Sequence, residues 1–348
     1  VEVFTANIQR YIDKLESMGC KFKRPTDSGQ REYIPCFDCK NRNWYGIMQQ
    51  QSVEVLAKRM AELGIFELPH TEIVDFLQSD GQLCGAAVLC ADNQLCSISC
   101  GALVVAGGGM GGIFRYRLNT NDISGVGQLL AMRSGASLIN AEFFQMFLGY
   151  KAPAPKTIYN EKMFRYTNFF SAGTDRSIFE GIAPQRLEQL LEERSSHGPF
   201  TSRLADREID RIISEQTAGV DISYSDTIKQ MKPRPEFIET YFHWLEEKKG
   251  LTIDDKVELG IFAHASNGGI AIDTVGFTGV PGLFACGEAT GGMHGADRIG
   301  GLSTANCLVF GNRAGEAAAV FSKEAHGKPC CADYSPPWIF QDAAELLC

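Results

Sequence analysis

Hydrophobic and polar positions alternate in two different ways along this chain. From Val1 to Met18 apolar residues recur at helical spacing, and a second helical stretch from about Ser52 to Leu63 stops at Gly64. Between Glu72 and Ala106 the pattern becomes strand-like, in "EIVDFLQSDGQLCGAAVLCADNQLCSISCGALVVA", with hairpin turns expected at Asp80–Gly81 and Asp92–Asn93. The last strand, from Ala102 to Ala106, is apolar throughout, which predicts a central position with both faces covered. Residues 149–260 carry charged helical segments at 185–194, 206–215 and 235–249, and read as an inserted, mostly helical lid. A short buried strand at 283–286 follows a turn at Pro281–Gly282 and runs into "GEATGGMHGADRIGGLSTANCLVFGNRAGEAAA". That stretch, residues 287–319, places eight glycines in 33 residues and from Ser303 turns to helix-forming Ala, Leu, Arg and Glu.

Strand, glycine loop and helix in that order have a physical use. Glycine permits positive φ and close backbone approach, and the first turn of a helix offers unpaired N–H groups to anionic or electron-rich ligand atoms, with Ser303 as the expected N-cap. The order therefore points to a cofactor site in an α/β protein, although a crossover whose glycines only pack backbone on backbone has the same letters. A second glycine cluster, Gly107, Gly109 and Gly112, satisfies G-x-G-x-x-G after a strand. It is not read as a dinucleotide fingerprint, because the turn-rich "IFRYRLNTND" follows it where an amphipathic helix is required.

Composition narrows the class. With 348 residues and 44% hydrophobic content the chain buries a sizeable core in one large or two intimate domains. Its formal net charge of −9 argues against a nucleic-acid partner. No apolar run reaches the roughly 18 residues of a membrane span, and the amino end lacks a signal-peptide core, so a soluble, cytoplasmic chain is expected. The twelve cysteines sit largely in apolar or strand-like contexts, such as Cys90, Cys100, Cys286 and Cys307, and are expected to be reduced. Cys36 and Cys39 form a lone C-x-x-C, with Cys330, Cys331 and His326 far away in sequence, so no metal site is expected.

The order strand, glycine pair, lid, "HASNGGI", "GLFACGEATGGMHGADRIGG" and helix resembles the FAD-dependent fumarate reductase, succinate dehydrogenase and L-aspartate oxidase flavoprotein family. The match is densest over residues 281–318, and "ISGVGQLLAMRSGASLINAEFFQ" follows the family's TGDG-helix stretch more loosely, with Val126 in place of its acid. The resemblance implies an α/β fold: a partial FAD-binding, Rossmann-like domain of the glutathione-reductase type with an inserted α+β capping domain. The implied division is 1–148 and 261–325 for the FAD-binding domain, 149–260 for the capping domain, and 326–348 for a tail. The family's amino-terminal βαβ unit, with its own G-x-G-x-x-G and adenosine-binding acid, has no counterpart here. The chain is accordingly expected to be one part of a longer or split protein, or an inactive fragment or partner subunit.

The same resemblance assigns roles. Gly108, Gly109, Gly287, Glu288, Gly301, Ser303 and Thr304 would line the FAD site, with Glu288 on ribityl or ribose hydroxyls and the Ser303 helix facing flavin N1 and O2. His264 and Arg298 match the substrate-binding His and Arg, suited to a small-molecule carboxylate because guanidinium offers a charged fork and imidazole a further polar contact. Arg207 in "LADREIDRII" falls at the family's proton-donating arginine, with Asp206 in place of its Pro and with Asp206, Glu208 and Asp210 nearby to relay the proton; Arg203 is the rival. Phe147 stands where dicarboxylate enzymes carry a histidine, which favours a mono-acid or extended enoate over fumarate or aspartate. An electron-transfer partner is also implied.

Overall fold

The computed structural model describes residues 1–23, 46–298 and 301–324. Cys36, Cys39, His326, Cys330 and Cys331 lie outside them. Three antiparallel strands, Glu72–Ser79, Gln82–Leu89 and Leu95–Ser99, form the expected meander. Asp80 and Gly81 both take positive φ in its first turn (52° and 76°), as a tight two-residue hairpin demands. Asn93 does the same in the second.

The strand Leu103–Val105 pairs in parallel with Leu283–Ala285. Leu103 and Val105 pack into one apolar cluster with Ala131, Ile270 and Leu283, while Val104 faces a second with Phe284 and Ala314. Both faces are covered as expected, and among the described residues its partner is Leu283–Ala285 alone. After Val105 the chain makes only a single 3-10 turn at Gly111–Ile113, so the G-x-G-x-x-G there opens no helix. The long helix Leu302–Glu324 closes this half and packs against the opening helix Glu2–Ser17.

The lid differs from the expected mostly helical insert. Its centre is a four-stranded antiparallel sheet in the order Phe144–Ala152, Val257–Ser266, Val220–Tyr224, Thr167–Ser171. The helices Pro184–Arg194, Arg207–Ser214 and Glu236–Lys249 accompany it where the charged segments predicted them. The strands were hard to read because two are five residues long and lie between charged helices. Burial holds the two layers together: Leu190, Ile209, Ile228 and Leu259 are wholly buried in one cluster with Tyr150, Phe164 and Phe169.

Of the described cysteines, Cys84 is in a disulfide, against the expectation of reduced thiols, and Cys20, Cys90, Cys96, Cys100, Cys286 and Cys307 are free. No group of three or more His, Cys, Asp or Glu suited to a metal ion occurs among the described residues. Among them, too, no helix is long and apolar enough to cross a membrane.

Candidate functional site

The segment "HASNGG" ends the long lid strand and shows why each of its letters is needed. Cα pairing with the neighbouring strand runs Phe262↔Phe147 and Ala263↔Met146, then slips to Ala265↔Gln145, so His264 is the extra residue of a β-bulge. A bulge re-aims a side chain, and His264 leaves the sheet to meet the edge of the Phe147 ring at 4.7 Å between centroids. Ser266 works at both ends: its N–H donates to Glu288 Oε1 (2.9 Å) and its hydroxyl accepts from the Met110 N–H (2.7 Å). Asn267 donates to the Ala296 carbonyl at 3.0 Å. At Gly268 and Gly269 a Cβ would strike the backbone of Asn140 and Ala289, at 1.9 and 2.4 Å.

These contacts correct part of the reading of the glycines. Gly109, Gly268, Gly269 and Gly291 are glycines because other parts of this chain occupy the space of a Cβ; at Gly109 that space holds the Glu288 carboxylate and Ser266 hydroxyl. Gly107, Gly295 and Gly301 instead open onto space with no neighbouring atom within 4 Å. Gly108 (φ 81°) has its carbonyl held by the buried Gln128 amide at 2.8 Å, and Gly287 (φ 68°) turns the chain after Cys286. The C-terminal helix starts at Leu302, so Ser303 lies within its first turn, with Thr304 exposed beside it, and is not the N-cap.

The Ser303 hydroxyl has another partner. It accepts from Arg298 Nη1 at 2.8 Å, while Nη2 of the same guanidinium lies 3.2 Å from His264 Nε2. Arginine has no acceptor atom, so His264 Nε2 accepts and that ring carries its proton on Nδ1. Burial, and then the Arg298 charge, push His264 down to about 4; the same two causes push His294 down to about 4. Both rings are therefore neutral near pH 7, and Arg298 is the cation of the pocket. Burial lowers the Arg298 pKa and the Glu288 carboxylate acts in the opposite direction. Its Nε–H is buried and has no hydrogen-bond partner among the described residues. A buried donor left unpaired carries a desolvation cost of about 1–3 kcal/mol, more when charged, which an anionic ligand would remove.

His264, Phe147, Arg298 and Ser303 thus come together, and among the described contacts none joins Arg207 to them. It begins the Arg207–Ser214 helix, is exposed, and donates to the Ser202 carbonyl at 3.1 Å. The acids expected to serve it are otherwise engaged. Asp206 is wholly buried against His197 Nε2 (2.6 Å), Asp210 binds Arg194 Nε (2.7 Å), and Glu208 sits 3.8 Å from Arg186. Sequence reasoning missed this buried quartet, although an Arg and a His three apart, facing two Asp four apart on the next helix, is a readable signal. Asp297, next to Arg298 in sequence, accepts from Arg203 Nε (2.8 Å) and the Thr201 hydroxyl (3.0 Å).

Comparison with known proteins agrees with this geometry. Residues 197–304, from the quartet to the start of the last helix, match the FAD binding domain family model. Over those residues the chain resembles that family. FAD is therefore the implied cofactor, and the family segment contains His264, Glu288 and Arg298 together. The chain is 28% identical to a fumarate reductase flavoprotein subunit of Mycobacterium tuberculosis (strain CDC 1551 / Oshkosh), over 92% of this chain and 57% of that protein. It is 30% identical to the L-aspartate oxidase of Bacillus subtilis (strain 168), over 70% of this chain and 43% of that protein. In structure it resembles Mycobacterium smegmatis Sdh1 solved in complex with UQ1, with a TM-score of 0.73 and 26% identity, over 95% of this chain and 57% of that one. The chain spans about half the length of the curated relatives it matches.

Proposed function

We propose that this chain is the substrate-binding and flavin-facing part of an FAD-dependent oxidoreductase that acts on a carbon–carbon or carbon–nitrogen bond next to a carboxylate. The observation that carries the reading is the buried, unpartnered Nε–H of Arg298 between Ser303 and His264. The residues present fit the cofactor: Gly107 and Gly301 leave backbone uncovered at the end of one strand and the start of the long helix. Gly108, Gly109, Gly287, Glu288, Gly301, Ser303 and Thr304 would hold FAD, with Glu288 already oriented by Ser266. When bound, FAD supplies hydride exchange at its N5 position.

The chain's own residues do the rest. Arg298 binds the substrate carboxylate, and because Ser303 and His264 hold its two Nη groups, the guanidinium is oriented before the substrate arrives. Neutral His264 adds no competing charge. In this reading Phe147, edge-on to His264, presents an apolar ring to the far side of the substrate and offers a second carboxylate no hydrogen bond. In this reading Arg207 returns the proton to the carbon next to the one that exchanges hydride, and the neighbouring Ser202 carbonyl holds its guanidinium.

A panel of fumarate, succinate, aspartate, crotonate and cinnamate, assayed with FAD and a redox dye, tests the reading. Losing one charge-assisted hydrogen bond costs about 1.5–3 kcal/mol and burying the second carboxylate adds to it, so cinnamate should exceed fumarate by about a hundredfold or more in kcat/KM. Arg207→Lys should lower kcat on every substrate by orders of magnitude with KM little changed. Efficient fumarate turnover would place an unrecognised carboxylate partner opposite Arg298, and full activity of Arg207→Lys would remove Arg207 from the mechanism.

A further inference from the structure

Asp297 immediately precedes Arg298, so a carboxylate stands one residue from a guanidinium whose buried Nε–H has no partner among the described residues. The two do not pair. One oxygen, Asp297 Oδ2, takes both the Arg203 Nε–H at 2.8 Å and the Thr201 hydroxyl at 3.0 Å. Both donors belong to the strap that links two lid helices, Pro184–Arg194 and Arg207–Ser214. The strap is itself fastened. The Phe200 N–H donates to the Met146 carbonyl at 2.9 Å, and the Arg194–Asp210 and His197–Asp206 pairs anchor its start and end.

We propose that Arg203 and Thr201 hold the Asp297 carboxylate away from Arg298, and so keep Arg298 open to an anion from solution. The inference rests on the reading of Arg298 as a carboxylate site. Among the described residues the hydrogen-bond partners of Arg298 are the neutral Ser303 and His264, and the Glu288 carboxylate raises its pKa against the effect of burial. Without the strap donors, Asp297 would lose the two hydrogen bonds that fix it, while Arg298, the next residue, has a buried donor to spare. An internal carboxylate would then compete with the substrate's, at the effective concentration of an adjacent residue. Arg203 is a positioning residue in this account: more than half of its side chain is exposed, and it acts through Asp297.

The test uses the full 348-residue chain labelled with 15N-arginine, and reads the Arg298 Nε–H resonance, assigned by its loss in Arg298→Lys, beside the calorimetric dissociation constant for cinnamate. In Arg203→Gln the Arg298 resonance should shift as Asp297 pairs with it, and cinnamate should bind about tenfold more weakly. Thr201→Val should give the same changes to a smaller extent. Adding Asp297→Asn to Arg203→Gln should return both the resonance and the affinity to those of the unmodified protein, a rescue that loss of fold would not show. An unmoved resonance in Arg203→Gln, or weak binding that persists in the double variant, would overturn the proposal. If the unmodified chain binds no carboxylate, the functional reading fails, and the resonance in Arg203→Gln still decides whether Asp297 is held apart.

Discussion

In the lid core, Tyr150, Tyr224 and Tyr241 join their hydroxyls at 3.0 and 3.1 Å, and the wholly buried Arg194 meets Asp210 and two backbone carbonyls. Arg298 is only half-buried, but its Nε–H is buried and has no partner among the described residues. The first guanidinium is held by the Asp210 carboxyl, whose pKa burial raises against the pull of Arg194, and by the face of Phe164, 4.4 Å from the ring centre. The second is held by neutral acceptors that orient it and leave its charge uncompensated at close range. In the proposed reading the difference separates stability from binding: one site commits its interactions to the fold, and the other withholds one for a ligand.

Breaking the first site should have the larger effect on stability. Arg194→Ala leaves Asp210 buried without its ion pair, and removal of one partner of such a pair costs about 3–5 kcal/mol. Chemical unfolding should show that loss. A midpoint shift equivalent to under about 1 kcal/mol would mean that the quartet is not structural.

A smaller, graded effect should come from pH. His264 and His294 are both pushed down to about 4 in the folded chain, while unfolded histidine titrates near 6.5. The unfolded state therefore binds more protons between these values, and stability should be complete above about pH 6.5 and fall as pH drops towards 4. In His264→Gln the slope of unfolding free energy against pH over that window should flatten. An unchanged slope would show that His264 does not carry it.

What the sequence made legible follows from which forces act locally. The helices at 185–194, 206–215 and 235–249 and the turns at Asp80 and Asn93 were readable because spacing and turn chemistry are properties of neighbouring residues. The lid sheet was not, since its strands pair residues far apart in sequence, such as Phe144 with Ser266. At the site, His264 and Arg298 were legible through motif resemblance, and the structure brings them within 3.2 Å. The partners of Asp206, Asp210 and Asp297 were hidden, because "LADREIDRII" reads equally well as a solvated charged helix until the strap packs against it.

The central claim, that Arg298 is kept in reserve for a carboxylate, is tested most directly by titrating cinnamate into the full chain with FAD present and comparing Arg298→Ala. Loss of a charged, oriented donor set should weaken binding by about a hundredfold. Stability should not fall, because the substitution also removes a buried donor that has no partner. Equal cinnamate affinity in the two proteins, or a stability loss comparable to that of Arg194→Ala, would show that Arg298 belongs to the fold and that the ligand is held elsewhere.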